Sequence, residues 1–311
     1  MELSEFRGMG AKMEQLMRSA QAGRIVHALL FTGPHGTGKR SMADLFARAL
    51  LCAGSGKRPC GVCPSCKKCA DGVHPDVHVL APDGNSIKVD PIRDLIADMG
   101  MTAYEGGKKI AIIERADRMN ENAQNALLKT LENPTGDAIF LLLTDAPGAL
   151  LPTVVSRCLN VRFSCLSCEE CAAALRDRGV EPERAKLLAE LAQGSVGRAL
   201  EIDADADYLP LRQRVLDAMR GIRGPADVLR ASTQIGDVKG REGAVLEILE
   251  TWALELMRAQ NGMSDASETD NRILGSELMR RVILVRAQLE ANLTWTNVFE
   301  PMAFALTGKK E

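Results

Sequence analysis

Residues 33–41 read "GPHGTGKRS", Gly33 to Ser41. The pattern G-x-x-x-x-G-K is filled by Gly33, Gly38 and Lys39, with Gly36 inside the turn. The apolar stretch "HALLF" precedes it and "SMADLFARAL", with the character of a helix, follows. In that context a glycine-rich turn wraps backbone N–H groups around phosphates at a helix N-terminus while the lysine neutralises them. Gly33, Gly36, Gly38 and Lys39 are therefore the candidate nucleotide-binding residues. The next position ordinarily supplies a hydroxyl to Mg²⁺, but here it is Arg40, which cannot coordinate a cation. Ser41 comes one residue late, about 100° further round the helix.

A second stretch carries the same conflict. The apolar run "KIAII" leads into Glu114-Arg115-Ala116-Asp117, where a hydrolytic site of this kind presents Asp-Glu, one carboxylate for the metal and one to activate water. Glu114 can serve as a carboxylate. Arg115 cannot serve as a base, because a guanidinium stays protonated at working pH. Asp117 lies beyond the strand end, nearer the start of the next helix, where an acidic residue is usually a dipole partner. The residues thus predict a phosphate-loop fold without ATP hydrolysis of its own, and they leave ATP or ADP binding open.

Around these two stretches, residues 26–163 alternate short apolar runs with amphipathic ones: "VHALLFTG", "RSMADLFARALLC", "VHVL", "PIRDLIADM", "KIAIIE", "NENAQNALLKTLENP", "AIFLLLT", "LNVRF". That alternation predicts an α/β domain, a parallel sheet with helices on both faces. After Phe163 the strand pattern stops. A capping-box pattern at Ser167 and Glu170 opens a few short helices separated by "GVEPE" and "QGSVG", and helical sequence resumes at Tyr208, broken by "RGIRGPAD", "GDVKGREG" and the polar loop "NGMSDASETDN". The boundaries expected are 1–164 for the α/β domain, 165–206 for a small helical domain and 207–311 for an all-α domain.

Composition restricts the function. With 46% hydrophobic and 26% charged residues the 311-residue chain has ordinary globular character. The opening residues lack a signal-peptide pattern and no stretch approaches the ~20 apolar residues of a bilayer span, so a cytoplasmic protein is expected. A formal net charge of −2 gives no basis for gripping nucleic acid unaided over a broad basic face.

Five of the nine cysteines, Cys52, Cys60, Cys63, Cys66 and Cys69, fall within "CAGSGKRPCGVCPSCKKC", with three consecutive C-x-x-C spacings. Thiolates on such tight turns match tetrahedral Zn²⁺, whose four-cysteine sites are closed and structural. Five candidates compete for four places, and His74 and His78 lie just outside the run. A second group, Cys158, Cys165, Cys168 and Cys171, admits an iron–sulfur cluster or a second zinc, but reads better as small residues around a helix start.

The order of these elements, with "HPDVHVL", "SIKVDPIRDLI", "NALLKTLENP" and "LLPTVVSRC", resembles the AAA+ clamp-loader family of the bacterial DNA polymerase III, through specific motifs over the first 165 residues. The resemblance implies an AAA+ RecA-like domain with an inserted zinc module, a helical lid and a helical collar. It implies Zn²⁺ on Cys52, Cys60, Cys63 and Cys66, with Cys69 supernumerary. It also implies a five-subunit ring shared with tau/gamma and delta subunits, which loads the sliding clamp onto primer–template DNA. Arg157, in "SRC", becomes the arginine finger, catalytic in trans at a neighbour's γ-phosphate. Thr144 stands at a phosphate-sensing position, and Arg198 is displaced by one from the lid arginine's place, which Gly197 fills; both read as relics. A non-hydrolysing ring subunit fits this set best. An active ATPase of tau/gamma type and a P-loop phosphotransferase are the alternatives, and Arg40 and Arg115 count against the first of these.

Overall fold

In the computed structural model the described residues are 15–19, 22, 26–105, 107–134, 136–236, 238–261, 273–291 and 293–307. The chain divides into two compact units, 1–201 and 202–311. The polar loop expected at 261–271 lies outside the described residues beyond Asn261.

The first unit is built on a five-stranded parallel sheet: β1 (Ala28–Thr32), β2 (Val77–Leu80), β3 (Lys109–Ile113), β4 (Ala138–Thr144) and β5 (Leu159–Arg162), in the order β2-β3-β4-β1-β5. β1, β3 and β4 are buried along their whole length, which is why they read as continuous apolar runs rather than alternating ones. Successive side chains still separate to opposite faces. Leu29, Phe31, Ile110, Ile112, Leu141 and Leu143 pack on one side with Met42, Leu45 and Phe46 of α1 (Lys39–Leu51). Leu30, Ala111, Ile113, Phe140 and Leu142 pack on the other with Ile92 and Leu95 of α3 (Val89–Met99) and Leu127 and Leu131 of α4 (Glu121–Glu132). A short helix, α2 (Pro64–Ala70), sits in the cysteine-rich insertion between α1 and β2.

Strand order decides where the chemistry falls. β1 lies between β4 and β5, so the loop after β1 opens at the carboxyl ends of the strands beside the ends of β3 and β4, the crevice where α/β sheets bind ligands. α4 starts at Asn120, whose Oδ1 accepts from the Ala123 N–H. It leads through β4 to α5 (Pro152–Val155), and Arg157 follows just beyond α5.

Three helices complete this part of the chain: α6 (Cys168–Arg176), α7 (Pro182–Leu191) and α8 (Val196–Ala204). The capping box expected at Ser167 forms in full, with the Ser167 Oγ accepting from Glu170 N and the Glu170 carboxylate accepting from Ser167 N. The second unit is all helical: α9 (Tyr208–Gly221), α10 (Pro225–Ile235), α11 (Glu242–Gln260), α12 (Gly275–Glu290) and α13 (Trp295–Leu306). Its core gathers Val215, Met219, Leu249, Trp252, Val282 and Phe299, and the pair Arg286–Glu250 joins α12 to α11 at 2.7 Å.

Candidate functional site

The phosphate-type loop has the backbone its glycines imply. Gly36 and Gly38 adopt positive φ, 73° and 87°, and Gly38 is the left-handed residue from which α1 starts. Lys39 is buried, and its Nζ donates to the carbonyls of Gly33 and Pro34, each at 2.7 Å, and pairs with Asp145 Oδ1 at 2.6 Å. Asp145 follows β4 directly, so the sheet order puts it beside the lysine.

The loop is also tied to the start of α8. Ser195 Oγ donates to His35 O at 2.7 Å, and Gly197 N donates to Gly36 O at 2.9 Å. The approach is too close for a side chain: a Cβ on Gly197 would stand 2.8 Å from Gly36 Cα, and one on Gly36 would stand 2.5 Å from Arg198 N. This is the physical reason for glycine at 197. His35 extends the tie, with Nε2 2.7 Å from Glu201 Oε1 and Nδ1 3.6 Å from Asp145. The Asp145 carboxylate outweighs partial burial and, with Glu201, raises the imidazole to about 9. Burial opposes ionisation of Asp145 and Glu201, yet His35 with Lys39 and Arg198 holds both carboxyls below their ordinary range. Arg198 pairs with Glu201 at 3.0 Å.

On the other side of Lys39, Arg40 turns toward the end of β3. Its guanidinium pairs with the Glu114 carboxylate, and its Nε donates to Asp44, one turn along α1, at 3.0 Å. Arg115 has a left-handed backbone, φ 47°, and an exposed side chain. Asp117 lies in a 3₁₀ turn, 116–118, and accepts from the buried Thr144 hydroxyl at 2.7 Å, so it binds a strand-end side chain rather than a helix N-terminus. The carboxylate at the end of β3 is already paired with the Arg40 guanidinium, so a divalent cation there would have to compete with that arginine.

Arg157 Nε donates to Glu132 Oε1 at 2.7 Å, and its Nη1 donates to Thr153 O at 2.8 Å. Glu132 is the last residue of α4, where a carboxylate is poorly placed against the helix dipole, and the guanidinium offsets that cost. The arginine remains one-third exposed.

In the insertion, the sulfurs of Cys52, Cys60, Cys63 and Cys66 lie within 4.8 Å of one another and could hold a metal ion; no other such group of three or more ligands forms among the described residues. Backbone N–H groups of Gly54 and Cys60 point at Cys52 Sγ, Cys63 N at Cys60 Sγ and Cys66 N at Cys63 Sγ, at 3.3–3.4 Å. Such donation favours thiolate, the metal-binding form. At Cys63 burial works against ionisation, but the Cys66 N–H and neighbouring donors bring the thiol down to about 6. A closed set of four sulfurs fits tetrahedral Zn²⁺, with Zn–S bonds of ~2.3 Å. Cys69 stands apart from the four, and burial pushes its thiol up to about 11. In the second cysteine group, Cys171 is buried in α6, Cys168 is exposed at its first turn, and Cys158 and Cys165 are half-buried.

Lys39, the loop glycines, Arg40 and Glu114 thus share one site, with the four cysteines on a separate insertion and Arg157 beside Glu132. The sequence reading did not single out His35, Asp145 or Glu201. Their only signal was position: His35 inside the loop, Asp145 directly after an apolar run, and Glu201 one turn beyond the Gly197–Arg198 pair.

Among known proteins, residues 9–167 match the family described as DNA polymerase III, delta subunit. The chain is 38% identical over 204 residues to the DNA polymerase III subunit delta' of Bacillus subtilis, covering 66% of this chain and 62% of that one. It is 42% identical over 181 residues to the DNA polymerase III subunit delta' of Pseudomonas aeruginosa, 54% of each. It is also 35% identical over 198 residues to the DNA polymerase III subunit tau of Escherichia coli, 61% of this chain but 31% of that one. The matches therefore span less than two thirds of these relatives' lengths. No helix among the described residues is long and apolar enough to cross a membrane. With a family match over just over half of its length, the stretch that holds the parallel sheet and the cysteine insertion, the chain belongs to the DNA polymerase III delta' family.

Proposed function

We propose that this chain is a non-hydrolysing subunit of the polymerase's clamp loader, which helps load the sliding clamp on primer–template DNA and supplies Arg157 in trans to a neighbouring ATPase subunit. The observation that carries this reading is the Arg40–Glu114 ion pair inside an otherwise intact phosphate-type loop. Hydrolysis needs a metal-held phosphate and a carboxylate free to activate water. Here the strand-end carboxylate neutralises an arginine, and the next residue, Arg115, faces solvent.

The proposed partners are tau/gamma and delta subunits in a five-membered ring, with residues 165–206 as the lid and 207–311 as the collar. Structural Zn²⁺ on Cys52, Cys60, Cys63 and Cys66 stiffens the insertion, and a soluble cytoplasmic location fits a replication factor. Similarity to tau favours the second reading, an active ATPase of tau/gamma type. The discriminating experiment assembles the chain with tau/gamma, delta, clamp and primed DNA and compares Arg157→Ala with Lys39→Ala. In the first reading Arg157→Ala lowers the ATPase and clamp loading of the complex and Lys39→Ala changes them little. The reverse ranking supports the second.

A further inference from the structure

In metal-dependent phosphate loops, two groups bracket the cation: the hydroxyl after the lysine and a carboxylate at the end of the adjacent strand. In this chain those two positions are Arg40 and Glu114, and they are bonded to each other. Asp44 holds the same guanidinium from the helix side, at 3.0 and 3.1 Å. A divalent ion brought to Glu114 would meet a positive charge already in contact with the same carboxylate. The phosphate-recognising half of the loop is kept, however. The positive-φ glycines shape the turn, Gly38 opens α1, and Lys39 is buried at the loop's centre.

Lys39 is held by Asp145 at 2.6 Å and by two loop carbonyls, contacts that an anionic oxygen can replace without moving the lysine far. A metal-free polyphosphate can exchange with these carboxylates partner for partner, whereas a divalent ion would have to displace Arg40 from Glu114. Lys39, Arg40, His35 and Arg198 all lie along the loop or against it, and each is balanced by a carboxylate that a polyphosphate would compete with.

We propose that this loop binds a nucleoside di- or triphosphate in its metal-free form, with the Arg40 guanidinium standing in place of Mg²⁺, so that Mg²⁺ weakens binding instead of supporting it. The proposal rests on the non-hydrolysing reading and deepens it: the site becomes a nucleotide-sensing site that cannot turn its ligand over. Asp145 sets the affinity, because it competes with the phosphate for Lys39.

The test is calorimetric titration of the full-length chain with ADP, ATP and inorganic tripolyphosphate, first in EDTA and then in excess Mg²⁺ at matched ionic strength. Binding is expected in EDTA and to weaken about tenfold or more when Mg²⁺ is added, as like charges at contact require. Arg40→Ser, which supplies the hydroxyl and frees Glu114, should reverse the preference, and Asp145→Ala should tighten metal-free binding. Tripolyphosphate binding as tightly as ATP makes the ligand a polyphosphate without a base contact and overturns the nucleotide assignment. Wild-type binding that strengthens with Mg²⁺, an Arg40→Ser variant that keeps the EDTA preference, or no binding in either medium overturns the proposal. Each of these leaves the non-hydrolysing reading standing, which falls on ATP turnover by the isolated chain or on the reverse ranking of Lys39→Ala and Arg157→Ala in the complex.

Discussion

Arg40, in the first turn of the helix that leaves the phosphate loop, forms an ion pair with Glu114 at the end of the neighbouring strand. The pair joins the position of a metal-binding hydroxyl, here Arg40, to that of a metal-binding carboxylate, so an organic cation sits against Glu114. A guanidinium carries charge but cannot polarise a water as a metal ion does.

The isolated chain is expected to release no phosphate from ATP above background, with or without Mg²⁺. A steady-state phosphate-release assay on the wild type beside Lys39→Ala checks this. Turnover that disappears in the lysine variant would show that the site is catalytic after all.

Metal analysis of protein purified without added metal should find about one zinc per chain, falling toward none in Cys63→Ser, since a four-thiolate site needs every ligand. Cys69→Ser should keep its metal, because Cys69 lies outside the converging four. Iron, or two metals per chain, would point instead to Cys158, Cys165, Cys168 and Cys171.

Arg157→Ala should leave folding and zinc content intact while lowering the ATPase of the assembled complex. A trans arginine is worth about 10³ to 10⁵ at a single site, and other interfaces of a ring would keep their own. Arg157→Lys should rescue poorly, because a point charge does not reproduce the planar fork. Glu132→Gln probes whether the pair positions the finger: it should lower ATPase less than Arg157→Ala and leave nucleotide affinity of the complex unchanged.

His35 gives a pH dependence whose sign is determined by its partners. Its folded-state pKa, raised from 6.5 to about 9 by Asp145 and Glu201, means that the stabilisation is complete below pH 6.5 and is lost as pH rises through 9. Urea melts at pH 6, 7.5 and 9.5 should show the wild type losing this increment and His35→Gln lacking it. Because the imidazole is largely solvent-facing, the difference should stay within about 1 kcal/mol.

Gly197→Ala should cost about 1–3 kcal/mol, since its Cβ would press on the Gly36 backbone and strain the Gly197 N–H to Gly36 O bond. Gly148→Ala, where an added Cβ meets nothing within 4 Å, serves as the neutral control. Equal stability of the two variants in thermal melts would contradict the close packing of loop and α8.

Much of the fold was legible because its determinants are local. Buried parallel strands are continuous apolar runs, so "HALLF", "KIAII" and "AIFLLLT" could be found without knowing their neighbours. The capping box at Ser167 needs four residues, and the C-x-x-C turns need only their own spacing. The expectation of no hydrolysis also came from residue kind, because Arg40 and Arg115 replace a hydroxyl and a carboxylate wherever they point. What the sequence alone left undecided was which charges meet. His35 and Glu201 are 166 residues apart, and neither residue type is unusual where it stands. Their contact exists because glycines at 36 and 197 let the loop and the start of α8 touch. Likewise five cysteines competed for four places until the turn between Cys52 and Cys60 brought their sulfurs together and left Cys69 on the far end of α2. Residue type and spacing determined the elements and the kinds of side chain each motif carries; strand order and backbone approach decided which side chains balance one another in the site.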